Sequence, residues 1–398
     1  MIRQPLDYDV AIVGASCAGL YAAQRLAEGG VRAAVYERQA ALGETGRTWI
    51  VTSELNRVLG FVPSAAIVHQ VEIMELLSHS RVDEVRLQVP DLIVERALMQ
   101  PLLAERAQAA GAELHLGCNL RRMRFEADGV ELEAASEGGA KRARVQAVIG
   151  ADGVTSAVAR LVGAQPLRAA PVVQARVRLP VGYDPRRVRV WFDRRRTRFF
   201  YWLIPESSEH GVVGLVAESP ADARHRLDEF LARQQLRPLQ YQGAMIPLHQ
   251  PLRRIEWRRG AARVLLVGDA AAHVKVTTVG GLVSGLWGAR AAAESILTGT
   301  PYFRALWGLH RELYLHDLIR WALDRFDDEH YDHLLRALSR PLKRLLARRN
   351  RDSMSSAPWA LLTAQPALLG LAAKAAWRPY RASPAKTPVK PRQRILNG

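Results

Sequence analysis

Residues 8–38, YDVAIVGASCAGLYAAQRLAEGGVRAAVYER, read as a strand, a glycine turn, a helix and a second strand. The run Val10 to Val13 suits a short buried strand. From Leu20 to Leu26 the apolar residues recur at helical spacing until Gly29-Gly30 stops them. Between the two elements lies the pattern G-x-S-x-x-G, formed by Gly14, Ser16 and Gly19, and Glu37 follows at the end of the second strand. Each position has a physical task. Gly14 makes the turn, Gly19 lets helix and strand approach closely, and the helix start offers N–H groups to a pyrophosphate. Glu37 is placed to accept hydrogen bonds from an adenosine ribose. Ser16 stands where a second glycine is usual, so the backbone approaches a phosphate less freely, and its hydroxyl offers a donor instead. The unit therefore predicts a dinucleotide site for NAD(P) or FAD.

The rest of the chain extends the same theme. Residues 91–118 read as a strand or loop, a helix ending near Gly111, and a strand. In 145–160 an apolar strand runs into Asp152-Gly153. In 261–296 another runs into Gly268-Asp269 and then a long helix of small residues. Three strand-to-loop junctions ending in glycine or acid are what the carboxyl edge of an α/β sheet requires. Between them, residues 165–258 change to alternating runs such as ARVRL, RVRVWF and GVVGLVA, with FDRRRTRF as a hairpin with a basic tip. The expected fold is α/β: a Rossmann-like nucleotide-binding domain of 1–60, 91–164 and 259–300, interleaved with an antiparallel β-sheet substrate domain of 61–90 and 165–258. A helical region, 301–381, and a disordered basic tail, 382–398, complete the expected organisation.

Charge is placed unevenly. Between Arg336 and Gly398 there are fourteen Lys or Arg against one acid, Asp352, so this segment carries +13 of the chain's net +17. A basic tail on a near-neutral body points to an anionic membrane surface or an acidic partner, and no nucleic-acid motif accompanies it. Residues 359–377, WALLTAQPALLGLAAKAAW, contain Gln365, Pro366 and Lys374, which suit an interfacial helix or a buried C-terminal helix better than a membrane span. Two cysteines, Cys17 and Cys118, support neither a disulfide framework nor a zinc site. No charged and apolar leader precedes Tyr8, so a cytoplasmic protein, peripheral on the membrane at most, is expected.

Taken together, GASCAG with Glu37, Arg96 in VERALMQPLL, GADGVTSAVAR and GDAAAHVKVTTVGGL stand in an order that resembles the p-hydroxybenzoate hydroxylase superfamily of flavoproteins, and within it the geranylgeranyl reductase family. The resemblance covers residues 8 to about 300 and implies FAD as the cofactor. It implies that Gly14, Ala15, Ser16, Cys17, Gly19, Glu37 and Arg38 hold the ADP half, and that Arg47, Arg96 and Leu120 lie along the cofactor. It also implies that Asp152 shapes the pocket, that Asp269 binds the ribityl chain, and that the Gly280-Gly281 backbone approaches the flavin ring. The residue chemistry agrees. Asp269 ends an apolar strand, where a carboxylate accepts from a polyol or caps a helix, and paired glycines let a backbone approach a planar ring.

The stretch FFYWLIP, 199–205, resembles the reductases' aromatic motif, with Phe200, Trp202, Ile204, Pro205 and Gly214 in its places. Successive strand residues face opposite sides, so Phe200 and Trp202 are expected to share the face that meets an apolar, lipid-like substrate. Flavin-dependent halogenases carry a similar wall, but they use a lysine in the first third, and the first lysine here is Lys141. In the 268–281 loop His273 comes one position later than in aromatic hydroxylases, while Val276 and Val279 replace the proline and glycine of the reductases. His273 reads as a structural residue. The expected activity is FAD-dependent reduction of carbon–carbon double bonds, fed by NAD(P)H or reduced ferredoxin, since no second nucleotide unit follows. A monooxygenase and a flavin-binding scaffold stay open as alternatives. No proton donor is assigned, and neither cysteine receives a role.

Overall fold

Apolar residues facing both ways hold Tyr8–Val13 in the middle of a sheet, with Val10, Ala11, Ile12 and Val13 all buried. The computed structural model describes residues 6–356 other than 45, 127, 349 and 350. Across this first sheet the strands run Glu256–Arg259, Ala262–Leu266, Gly139–Gly150, Tyr8–Val13, Ala33–Tyr36 and Glu113–His115. Neighbours are parallel except the edge pair Glu256–Arg259 with Ala262–Leu266. The chain moves outward on both sides of Tyr8–Val13, which opens a crevice at the carboxyl edge. Tyr36, Val13, Gly150 and Leu266 stand side by side in one row. The turns that follow them, at Glu37, Gly14, Asp152 and Asp269, therefore meet at that edge.

Two helices, Cys17–Glu28 and Leu282–Thr298, pack on one face of the sheet, with Leu20, Leu26, Leu286 and Ala292 in a common core. The other face is covered by an antiparallel meander of Asn119–Phe125, Val130–Ser136 and the first half of Gly139–Gly150, together with the short helix Ala157–Leu161.

The second sheet runs Pro238–Pro247, Ala169–Arg178, His210–Val216, Tyr201–Pro205, Arg187–Trp191, Ile67–Leu77, Val82–Glu95 and Thr48–Val51. It is antiparallel throughout except where Arg187–Trp191 lies parallel to Ile67–Leu77. The strand Val82–Glu95 runs across position 91 and pairs with both Thr48–Val51 and Ile67–Leu77, so this sheet takes strands from both sides of the boundaries expected at 60 and 91. Partner choice in a sheet is non-local, and the short run TWIV carries no signal of its partner. The two faces of Tyr201–Pro205 separate as alternation requires. Tyr201 and Leu203 pack under the helix Pro220–Arg233, where the Tyr201 ring stacks on Phe230 at 4.2 Å. Trp202 and Ile204 face the other way, into a cluster that contains Val274 and Val279 from the loop after Asp269.

The basic hairpin tip is docked rather than free: Arg195 lies 3.2 Å from Asp328, and Arg196 pairs with Glu229. Beyond it come the helices Trp307–Leu323, Asp328–Arg336 and Arg340–Arg348. No helix among the described residues is long and apolar enough to cross a membrane. The segment 359–377 and the tail 382–398 lie outside the described residues.

Candidate active site

The first junction is a cradle made by glycine. Gly14 has φ +101°, and a Cβ there would come within 2.6 Å of the Ala151 carbonyl oxygen. At Gly19 a Cβ would lie 2.1 Å from the Gly14 oxygen, so neither position tolerates a side chain. The Ser16 hydroxyl oxygen accepts from the Gly19 amide at 3.2 Å and caps the helix. Its role as an acceptor in a cap was not visible in the motif, and its hydrogen stays available to donate. The amides of Ser16 and Ala18 have no backbone acceptor among the described residues, and they lie at the start of the Cys17–Glu28 helix, where its dipole favours an anion.

Glu37 is buried. Its carboxylate accepts from the Ala15 amide at 2.7 Å and the Gln39 amide at 2.9 Å. A carboxylate has about four acceptor positions, so lone pairs remain for ribose hydroxyls while the same group holds the loop in shape. Gln100, which no motif signalled, completes the loop by donating to the Ala15 carbonyl at 2.7 Å and accepting from Gly43 at 3.3 Å.

At the third junction, Asp269 lies in a single 3₁₀ turn, Gly268–Ala271. Among the described residues its carboxylate has no hydrogen bond, and burial raises its pKa against the pull of Arg47 and Arg96. Burial in turn lowers the Arg47 pKa, with Asp269 opposing and Arg96 adding to the shift. The Arg96 amide donates to the Arg47 carbonyl at 3.0 Å, which sets these two arginines side by side, and Glu95 fixes the bend by accepting from the Arg47 amide at 2.7 Å and the Ala97 amide at 3.0 Å. Two guanidinium groups and a carboxylate thus converge without bonding to one another. Gly281 lies against this group: a Cβ there would come within 3.1 Å of Asp269 Oδ1. Gly281 also opens the Leu282–Thr298 helix.

Val279 occupies the left-handed region, with φ +49°. A β-branched residue there is strained by roughly 1–2 kcal/mol. The loop therefore keeps a glycine-like backbone although the glycine is gone.

Other assigned residues do different work. Asp152 accepts from the Ala157 amide at 2.6 Å, the Val158 amide at 3.1 Å and the Ser156 hydroxyl. It shapes the edge by capping a helix, and burial raises its carboxyl against those bonds. Leu120 is buried with Val13, Tyr36 and Cys118 on the meander side of the sheet, and Arg38 is exposed. Burial pushes the Cys17 thiol up to about 12 against the pull of Arg96, so it is neutral and unreactive at pH 7. His273 is buried, with both ring nitrogens unpartnered, and its ring lies against Gly288.

The apolar wall stands opposite. Phe200 and Trp202 have ring centroids 5.9 Å apart, and both belong to the cluster with Ile204, Val274 and Val279. Pro205 ends the strand, paired with Gly211. Phe199 joins the same cluster, because the regular strand begins only at Tyr201 and alternation does not extend back to it. Trp202 pairs across the sheet with Gly214, where a Cβ would lie 2.4 Å from the indole. The glycine of the motif is thus the floor on which the indole lies flat.

These residues fit FAD: glycine cradles, amides at a helix start that would meet a pyrophosphate, a carboxylate that would accept from a ribose, and a buried Asp269 under the pull of two arginines, which would hold a polyol chain. A bound flavin supplies hydride or single-electron chemistry at its ring. Their convergence on one edge is the arrangement that an FAD-dependent oxidoreductase needs.

The family described as FAD binding domain matches residues 7–296. Digeranylgeranylglycerophospholipid reductase 1 of Methanopyrus kandleri is 30% identical over 307 residues, covering 73% of this chain and 80% of that protein. A geranylgeranyl bacteriochlorophyll reductase-like protein from Thermoplasma acidophilum shares the fold with a TM-score of 0.77 at 19% identity, over 92% of this chain and 99% of that one. Aklavinone-11 hydroxylase, solved with FAD and aklavinone, shares it with a TM-score of 0.59 at 20% identity, over 81% and 69%. The chain belongs to the geranylgeranyl reductase-like family of FAD-binding proteins.

Proposed function

We propose that this protein reduces carbon–carbon double bonds of an isoprenoid or similarly apolar lipid by adding a hydride from reduced FAD and a proton. The observation that carries the reading is the wall of Phe200, Trp202 and Ile204, which meets Val274 and Val279 of the very loop that leads to Gly280-Gly281. Reduction of an isolated alkene needs the chain held close to the hydride donor and away from water, and an apolar wall against that loop provides this. A relative at 30% identity is named for a digeranylgeranyl lipid, which supports the same substrate class. NAD(P)H or reduced ferredoxin is the electron source in this reading, and the basic C-terminal segment is the surface for an acidic carrier or an anionic membrane.

The test is mass spectrometry of prenyl lipids incubated anaerobically with chemically reduced protein. Gains of two hydrogens per double bond are expected. Oxygen consumption in proportion to NAD(P)H, with gain of one oxygen atom, would replace this reading with a monooxygenase. Protein that takes up FAD yet yields neither product would leave a flavin-binding scaffold.

A further inference from the structure

Of all the charged residues after Arg336, only Asp352 is acidic, and its side chain is buried. It pairs with Lys275 Nζ, and both side chains are almost wholly inaccessible, at 3% and 6% exposure. Thr52 donates to the second oxygen of Asp352 at 2.7 Å. Its neighbour Arg351 pairs with buried Asp91. Three residues on, the amides of Met354 and Ser355 each donate to Glu312 at 2.8 Å, while His316 lies 3.2 Å from the Arg351 carbonyl. Residues 351–356 are thereby tied to the second sheet, to the loop after Asp269 and to the long helix Trp307–Leu323.

Where the strap is tied matters more than how firmly. Lys275 belongs to the loop between Asp269 and Gly280-Gly281, and its Nζ lies 3.8 Å from the position a Cβ would take on Gly280. Val274 and Val279, on either side of it in the loop, pack into the Trp202 cluster. Thr52 follows the edge strand Thr48–Val51, and Asp91 lies on the adjoining Val82–Glu95 strand. The strap thus crosses the place where loop, wall and sheet edge meet. Buried ion pairs add little net stability, and their best-attested use is to specify one of two arrangements.

We infer that residues 351–356 are a releasable strap across the substrate side of the 274–281 loop, latched by Asp352 on Lys275, and that an apolar chain binds only when the strap is open. The inference rests on the proposed substrate class for its ligand, but not for the latch itself. Apparent affinity is reduced by the fraction of molecules that are open, so weakening the latch lowers the apparent dissociation constant without changing what the open site offers.

The experiment compares wild type, Asp352→Asn, and the charge swap Lys275→Asp with Asp352→Lys, all as full chains loaded with FAD. Removing one partner of a buried pair typically shifts a local equilibrium by about a hundredfold to a few thousandfold. Amide hydrogen exchange across 351–356 and acetylation of Lys275 by acetic anhydride, both mapped by mass spectrometry, are expected to rise at least about tenfold in Asp352→Asn. In the swap, amide exchange is expected to return toward wild type. Geranylgeraniol binding, followed by tryptophan fluorescence, is expected to tighten in Asp352→Asn and to weaken again in the swap. Unchanged exchange and labelling in Asp352→Asn would overturn the latch. Raised exchange with unchanged geranylgeraniol affinity would overturn the gate. Binding of geranylgeraniol to none of the three would count against the substrate class instead, and the exchange and labelling would still decide the latch.

Discussion

Replacing His273 with leucine should stabilise this protein, and increasingly so as the pH falls. The imidazole is 1% exposed, and neither ring nitrogen has a partner among the described residues. A neutral imidazole buries one donor and one acceptor, and each such orphan costs about 1–3 kcal/mol. Leucine has similar volume but a different shape, and the ring lies tightly on Gly288, so a repacking loss of about 1 kcal/mol is set against the gain. At pH 8 the variant should therefore be more stable by roughly 1–5 kcal/mol. Burial, with lesser effects of His310 and His249, lowers the folded-state pKa from 6.5 to about 3. Between those values the unfolded chain binds a proton that the folded chain does not, so stability is full above the upper value and falls as the pH drops. The loss is about 1.4 kcal/mol per pH unit, which makes the advantage of leucine grow by about 3 kcal/mol between pH 7 and pH 4. Urea unfolding of both proteins at several pH values in that range measures the difference directly, because all other titrating groups are shared. A variant that is less stable at pH 8, with a pH profile parallel to wild type, would refute the reasoning and show that the imidazole is partnered in solution.

Four further outcomes are expected. Trp202→Ala should abolish most turnover on a prenyl lipid while leaving bound FAD unchanged, and unaltered turnover would remove the indole from the site. Val279→Gly relieves roughly 1–2 kcal/mol of left-handed strain and adds about 0.4–1 kcal/mol of unfolded-state entropy, so a net gain of up to about 1.5 kcal/mol should appear as a higher urea midpoint; a lower one would mean that Val279 packing outweighs the strain. Glu37→Gln keeps one acceptor oxygen for two amides and loses the charge, at a cost of about 1.5–3 kcal/mol, so FAD retention in ultrafiltration should fall at least about tenfold. Removal of residues 357–398 should reduce flotation with anionic liposomes, whereas equal binding would reject that segment as an anchor.

Some of the architecture was legible because its causes are local. The βαβ unit at 8–38 follows from apolar periodicity and two glycines whose tasks belong to adjacent elements, and the register row of Val13, Gly150 and Leu266 brings the three predicted junctions to one edge. The alternation that puts Trp202 and Ile204 on one face is equally local, and it failed at Phe199 because the regular strand had not yet begun. Where a partner lies far along the chain, the sequence carries no address for it. Thr48–Val51 finds Leu92–Glu95, the indole of Trp202 finds Gly214, and Lys275 finds Asp352, 77 positions away.

By its own periodicity and punctuation the sequence determined a dinucleotide-binding α/β unit, a second sheet with an aromatic face, and a basic C-terminal segment. Only the tertiary structure decided that this face meets the 274–281 loop, that Val279 holds a strained backbone there, and that the one acid of the basic segment is drawn inside. The physical reason is that strand and helix patterns are set by neighbours within a few residues, whereas burial, strain relief and ion pairing depend on which distant surfaces the whole chain brings together.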